Sequence, residues 1–271
     1  MMRMDDLMEE EVIQKALKTR IFGRVIYNFE EIDSTNRFAK RLALQGKPEG
    51  TLVYAEKQTH GRGRWSRSWD SPKGKGLWFS LVLRPKFKPA LGSMLTLLGA
   101  TSVASVVEEN FRLRPKVKWP NDLLVNGRKL AGVLTEASRY RSGISYAVLG
   151  IGINVNQDKA DFASNIRERA ISLRMAGKDV DRLSLLSKIL IQMENDYRKA
   201  QIWGFDFILR RWISRSSILC REVLLRVNSH TVRGRVRGFH ANGDLVLLDG
   251  DGKERRYSDG DIVEVIDAVG R

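Results

Sequence analysis

Cysteine is nearly absent. Cys220 is the single one in 271 residues, so neither an internal disulfide nor a cysteine-based metal site can form. That excludes a stapled secreted scaffold and a zinc finger, and it fits a reducing, cytoplasmic compartment. Histidine is scarce as well, with His60 alone in the first half and His230 and His240 far along the chain. The start, MMRMDDLMEEEVIQK, is acidic where an export signal needs a basic opening and an apolar run. Long hydrophobic runs are missing too. The longest uncharged stretch, 89–107, approaches bilayer length but contains Pro89, Gly92, Gly99, three Ser and two Thr. It reads as a helix buried inside a domain, not as a membrane span.

Acidic residues are outnumbered, 32 against 47 Lys and Arg, which leaves a formal charge of +15. Such an excess suits a polyanionic partner (nucleic acid, nucleotide phosphates or an acidic protein) or simply keeps a basic surface soluble. Composition alone favours neither. With 42% hydrophobic and 29% charged residues the chain is ordinary globular material, long enough for one large or two unequal domains.

Strands are expected at 25–27 and 51–54, with a helix over 35–45 between them, where Phe38, Leu42 and Ala43 share a face. Gly46 and Pro48 close that helix. Leu77, Phe79, Leu81 and Leu83 alternate as in a half-buried strand. After the buried helix come strands at 116–119, 123–125 and 129–134, the last two joined by Asn126-Gly127, a strong hairpin signal. Lys129 should therefore stand just beyond a tight turn, held by a sheet. VLGIGINV (148–155) is an apolar strand whose Gly150 and Gly152 admit backbone or ligand. Ser184 is expected to cap a helix carrying Leu185, Leu186, Ile189, Leu190, Met193 and Tyr197, and Gly204 to end it. A short helix over 207–212 leads to a boundary near 214–217. From Arg221 the chain turns to short β-branched runs separated by Asn242-Gly243, Asp249-Gly250 and Asp259-Gly260, the texture of a small β-barrel.

Three segments carry chemistry. Residues 58–76, QTHGRGRWSRSWDSPKGKG, must form a loop in which Gly61 and Gly63 let backbone N–H groups approach an anion. Arg62, Arg64 and Arg67 offer forked donors for phosphate or carboxylate, and Trp65 and Trp69 could stack on a base. Nucleotide and nucleic acid fit this loop equally well, but a P-loop is excluded because its Gly-x4-Gly-Lys-Ser/Thr spacing is missing. In Lys118-Trp119-Pro120-Asn121-Asp122, Pro120 interrupts any central ladder, so Asn121 and Asp122 project at a strand end or close an Asx turn. Asp33-Ser34-Thr35-Asn36 opens a helix; Ser34 is either a plain N-cap or part of a site that uses the free N–H groups there.

Taken together, Ser34-Thr35-Asn36, Gln58-x-x-Gly61-Arg62-Gly63-Arg64-x-x-Arg67-x-Trp69-x-Ser71-Pro72, Lys118 to Asp122 with Lys129-Leu130-Ala131-Gly132, and Gly150-Ile151-Gly152-Ile153-Asn154 closely resemble biotin protein ligase, in that family's order and spacing. The resemblance is strong over 25–156 and looser in the tail. It implies an α+β fold: a mixed-sheet catalytic domain like that of class II synthetases over 1–216, with helices packed on it, then a small SH3-like β-barrel over 217–271. It implies attack of biotin's carboxylate on the α-phosphate of ATP, giving biotinyl-adenylate and pyrophosphate, then transfer to a lysine of a biotin carboxyl carrier protein.

By the same resemblance, Ser34, Thr35, Asn36 and Gln58 belong to the biotin ring and its ureido group, and Gly61, Gly132 and Gly150 let backbone approach biotin. Lys129 and Arg62 are the catalytic residues, reaching carboxylate and phosphate. Arg64, Arg67, Trp69, Asn121, Asp122 and Asn154 lie on the ATP and adenylate side. Magnesium is expected with ATP, its ligands left open. The arginine loop is expected to order over the intermediate and shield it from water.

Ser66 departs from the family's frequent Gly, and His60 precedes Gly61 as a surface residue. Only 33 residues precede Ser34, too few for a three-helix DNA-binding module with its turns, so the chain is expected not to bind DNA or regulate transcription. A homodimer through a sheet edge is expected, and no membrane association. The alternatives are a lipoate or octanoate ligase, or a basic nucleic-acid-binding protein.

Overall fold

The computed structural model describes residues 8, 10–87, 92–140 and 143–266. The acidic start holds a short helix that the sequence reading missed, α1 (Glu10–Ala16), whose Ile13 is fully buried. Strands β1 (Ile26–Ile32) and β2 (Leu52–Gln58) run parallel, so the chain must cross over between them, and α2 (Thr35–Leu44) makes that crossing. Its apolar stripe, Ala39, Leu42 and Ala43, packs on Val53, Val82 and Val148 and covers one face of the sheet.

Strand β3 (Gly76–Leu83) is buried at all eight positions, not half-buried as its alternation suggests. Leu77, Phe79, Leu81 and Leu83 enter the main core, and the opposite face is covered too. There Val82 lies under α2, Ser80 bonds to Asn36, and Trp78 meets Trp69 edge-on with ring centroids 6.5 Å apart. A strand roofed on both sides needs no polar face, and Ser80 is polar because it has a partner.

Helix α3 (Met94–Phe111) is the buried helix of the uncharged stretch; Pro89 lies outside the described residues. Among the described residues no helix is long and apolar enough to cross a membrane. Strands β4 (Lys116–Lys118), β5 (Asp122–Val125), β6 (Arg128–Tyr140) and β7 (Gly143–Asn154) complete a sheet of order β1-β2-β3-β7-β6-β5-β4. All its neighbours except β1 and β2 are antiparallel. The turn between β5 and β6 has Asn126 at φ 51° and Gly127 at φ 72°, both left-handed, which is the type I′ hairpin that Asn-Gly favours.

Helix α4 (Arg182–Trp203) starts earlier than expected. Asp181 caps it, accepting from the N–H groups of Leu183 and Ser184, so Ser184 is capped rather than capping. A carboxylate satisfies two orphan donors where a single hydroxyl would satisfy one, and it also complements the helix dipole. Gly204 ends α4 at φ 80°, and α5 (Asp206–Arg215) follows, longer at both ends than 207–212.

Strands β8 (Glu222–Val227), β9 (His230–Phe239), β10 (Leu245–Leu248), β11 (Glu254–Tyr257) and β12 (Asp261–Ile266) form an antiparallel sheet of order β11-β10-β9-β8-β12. Closing a barrel requires its two edge strands to pair. Among the described residues no ladder joins β11 to β12, so the expected barrel is this five-stranded sheet, open at one seam. Its inner face, Val223, Leu225, Val236, Leu245 and Leu247, shares one continuous core with the large sheet. Ser93 Oγ donates to the Asn242 carbonyl at 2.6 Å and Trp119 Nε1 to the Gly243 carbonyl at 3.1 Å. These contacts seat the β9–β10 turn, and the β11–β12 turn meets the arginine loop through Arg64.

Candidate functional site

The site lies on the α2 face of the large sheet. Ser34, buried, caps α2 from an extended backbone, its hydroxyl accepting from the Arg37 N–H at 3.5 Å. Beside it Thr35 donates from its N–H and from Oγ1 to Gln58 Oε1 at 2.9 and 3.0 Å, and Gln58 Nε2 donates to Ser71 Oγ at 2.9 Å. Ser80 Oγ sits between Thr35 Oγ1 at 2.9 Å and Asn36 Oδ1 at 2.7 Å. Asn36 Nδ2 then donates to Glu136 Oε2 at 3.0 Å. One polar chain thus runs through three of the expected biotin residues, Gln58, Thr35 and Asn36, with Ser34 beside it. A buried run of small donors and acceptors suits a compact polar ring system better than a phosphate, because it carries no positive charge.

Glycines form the floor. Gly132 and Gly152 are paired across β6 and β7, and the Trp69 indole lies on both, so a Cβ at either would strike the ring. A Cβ at Gly150 would fall inside the Asn36 amide, and one at Gly61 would strike the Trp69 carbonyl. The indole Nε1 of Trp69 is buried with no hydrogen-bond partner, a donor aimed at the floor.

The arginine loop is folded on itself. Gly63 N–H donates to the Arg67 carbonyl at 2.7 Å, Trp69 N–H to the Gly61 carbonyl at 2.8 Å, and Arg62 and Ser68 form an isolated bridge. At its tip Trp65 and Ser66 take φ 57° and 59°, which accounts for a family Gly at the Ser66 position. His60 is exposed and touches only Thr59 through its ring, as its surface reading expects.

Lys129 is the most firmly anchored of the cations. Its N–H donates to the Arg169 carbonyl at 2.7 Å, and its own carbonyl accepts from the Ile171 N–H at 3.0 Å and from Asn154 Nδ2 at 3.3 Å. Residue Leu130 is an extra residue in β6, since Leu123 pairs with Ala131 and Leu124 with Lys129, and such a bulge re-aims the side chain beside it. Lys129 Nζ lies 5.1 Å from the Trp69 ring centroid and 2.6 Å from Asp122 Oδ1. That second contact is off-axis, because Asp122 Oδ1, buried, has no aligned hydrogen bond.

Every basic group of the site has a carboxylate partner. Lys129 meets Asp122; Arg62 meets Glu136 at 3.1 Å; Arg64 meets Asp259 and donates to the Gly260 carbonyl at 2.9 Å; Arg67 meets Asp261. Burial alone raises the Asp261 carboxyl. The Arg67 hydrogen bond and charge, with Lys118 and Arg64 nearby, outweigh it and hold that carboxyl below the ordinary aspartate range. A cavity of about 300 Å³ opens between Arg64, Trp119, Asn121, Thr96, Ser258 and Asp259. Asn121 is fixed there by an exchange with β6, its Nδ2 donating to the Val133 carbonyl at 2.9 Å and its carbonyl accepting from the Val133 N–H at 3.0 Å.

Three of the expected residues sit differently from the rest. Asn154 is buried, with Nδ2 on the Lys129 and Ile171 carbonyls and Oδ1 accepting from Gln157, so in this structure its amide orients the lysine strand. Arg64 and Arg67 reach the C-terminal turn instead of one another. Ser80, Glu136, Asp259 and Asp261 escaped the sequence reading. Only Ser80 left a trace, as the lone polar side chain among LWFSLVL.

A mixed α+β domain that sets Lys129 and Arg62 by a glycine floor and a polar pocket, with Arg64 and Arg67 turned to a C-terminal sheet, has the site an acyl-activating ligase requires. Residues 28–154 match the model of the biotin/lipoate A/B protein ligase family. The bifunctional ligase/repressor BirA of Bacillus subtilis is 38% identical over 252 residues, covering 93% of this chain and 78% of that protein. The biotin--[acetyl-CoA-carboxylase] ligase of Paracoccus denitrificans is 30% identical, covering 82% and 93%. Among solved structures, the biotin protein ligase from Aquifex aeolicus in complex with biotin and ATP superposes with a TM-score of 0.75 at 32% identity, over 88% of this chain and 97% of that one. The chain belongs to the biotin protein ligases of this family.

Proposed function

We propose that the protein activates biotin with ATP and transfers the biotinyl group to a lysine of a biotin carboxyl carrier protein. The observation that carries this reading is Lys129, fixed by backbone on both sides next to the glycine floor and bracketed by the polar pocket and the arginine loop. In the first step a carboxylate oxygen of biotin attacks the α-phosphorus of ATP and the P–O bond to pyrophosphate breaks. Two anions must approach, so fixed cations have to offset their repulsion. Lys129 and Arg62 take that part, while Arg64 and Arg67 hold phosphates. In the second step the acceptor amine attacks the activated carbonyl, AMP leaves, and the amine gives up a proton.

Ser34 at the cap of α2 and the polar chain of Thr35, Asn36 and Gln58 serve the ureido ring, while Gly61, Gly132 and Gly150 make room for the Trp69 and Asn36 groups that wall the biotin pocket. Trp69, Asn121, Asp122 and Asn154 serve the adenylate side, and Asn121 with Arg64 also lines the 300 Å³ cavity. Magnesium would enter with ATP. The phosphates of ATP would carry the ion, with a carboxylate of the site to help. Asp122, with its off-axis buried oxygen, is the carboxylate placed to help, and the ion would supply charge neutralisation. A cytoplasmic location and a homodimer belong to the same reading, and the net charge of +15 suits an acidic acceptor.

Biotin-dependent exchange of pyrophosphate into ATP tests the reading without an acceptor. Exchange with biotin alone is expected. Exchange with lipoate or octanoate instead would move the protein to the sister ligases, and none with any acid would overturn the assignment.

A further inference from the structure

Glu136 stands on β6, outside the residues assigned above, yet it touches two of them. Its Oε2 accepts from Asn36 Nδ2 at 3.0 Å, and Arg62 Nη1 lies 3.1 and 3.3 Å from its two carboxylate oxygens. In the sheet order β2-β3-β7-β6, two strands separate the one from which the loop departs from the one that carries Glu136. Those two, β3 and β7, bear Ser80, Gly150 and Gly152. The Arg62–Glu136 pair therefore spans the groove. Both partners remain partly open to water, Arg62 at 39% and Glu136 at 24% side-chain exposure, so the pair is exchangeable rather than locked.

We propose that Glu136 is the positioning residue for Arg62: its carboxylate holds the guanidinium across β3 and β7 in the place of the ligand's carboxylate, and yields it when biotin arrives. The inference rests on the ligase reading and deepens it. One carboxylate replaces another on the same fork, and the displaced Glu136, partly open to water, keeps Asn36 as its donor. The exchange also discriminates. A ligand with the biotin ring but a neutral tail has nothing to offer Arg62 and leaves the pair intact, while an acid competes for it. Glu136 thus lowers the affinity for biotin itself and reserves Arg62 for a charged tail. Because Asn36 donates to the same carboxylate, the ring pocket and the loop meet at this one side chain.

Calorimetric titration of the full chain with biotin and with biotinamide, without ATP, separates this role from a structural one. Glu136→Gln keeps an acceptor for Asn36 and removes the charge. It is expected to tighten biotin about three- to fivefold, the scale of a partly exposed ion pair, and to leave biotinamide within about twofold. In an Arg62→Ala background the same substitution should no longer distinguish the two ligands. Glu136→Ala, which also strips Asn36 of its acceptor, is expected to weaken both. Equal shifts of biotin and biotinamide in Glu136→Gln, a weaker biotin, or a tightening that survives loss of Arg62 would overturn the role of Glu136 while leaving the ligase reading intact. Wild-type protein that binds neither compound would overturn the ligase reading itself, and this inference with it.

Discussion

Lys129 suits its place because an ammonium on a flexible stem is a compact point charge that can lie between two anions, where a planar guanidinium would commit to one fork. Lys129→Ala is expected to reduce biotin-dependent pyrophosphate exchange by at least about a hundredfold, the cost of losing one preorganised charge at a reacting phosphoryl or acyl group. A wild-type exchange rate would remove Lys129 from the chemistry. The two sides of the site should separate under mutation. Ser34→Ala is expected to raise the KM for biotin severalfold with that for ATP unchanged, and Arg64→Ala to do the reverse; steady-state kinetics with each substrate varied in turn decides it. Lys129 was legible because its setting is local, an Asn-Gly turn two residues away. Glu136 was not, because its partner Arg62 lies 74 positions off, and Asp259 faces Arg64 across 195. Hydrophobic period and turn chemistry describe neighbours, and nothing in them announces an ion pair between remote segments.

Elements show the same division. Turn signals were read correctly at Asn126-Gly127 and at Gly204, where positive φ demands particular residues. Burial of β3 was misread because a strand's own pattern cannot report that α2 and the loop roof its second face. Asp181 was passed over for Ser184 because both precede an apolar run, and only the backbone shows which one stands at the turn. The arginine loop gives a test at this scale. Ser66, at φ 59°, occupies a conformation that costs an L-residue about 1 kcal/mol and a glycine little. Ser66→Gly is therefore expected to favour the folded loop, slowing protease cleavage within 58–76 about two- to fivefold without altering pyrophosphate exchange. Faster cleavage would mean that the added backbone freedom of glycine in the open loop outweighs the relieved strain.

Charge is divided unevenly across the whole molecule. Residues 217–271 carry nine basic and nine acidic side chains, so the entire excess of +15 resides on 1–216. The C-terminal sheet is accordingly no cationic platform; at the site it contributes carboxylates, Asp259 and Asp261, to the arginines of the other sheet. This joins the arginine loop to the C-terminal sheet, and it makes the contact sensitive to acid. Because the folded protein holds the Asp261 carboxyl below its ordinary value of 3.8, the contact stabilises the fold fully above that value. Its contribution is lost as the pH falls through the lowered value, when the carboxyl gains a proton and Arg67 loses its partner. No change is therefore expected between pH 8 and 5. Carbon NMR of the Asp261 carboxyl should give a midpoint below 3.8, and Asp261→Asn should remove the matching acid-dependent shift of the Arg67 guanidinium resonance. A midpoint at or above the ordinary value would show burial outweighing Arg67, and Arg64 would then carry the ion pairing between the arginine loop and the C-terminal sheet.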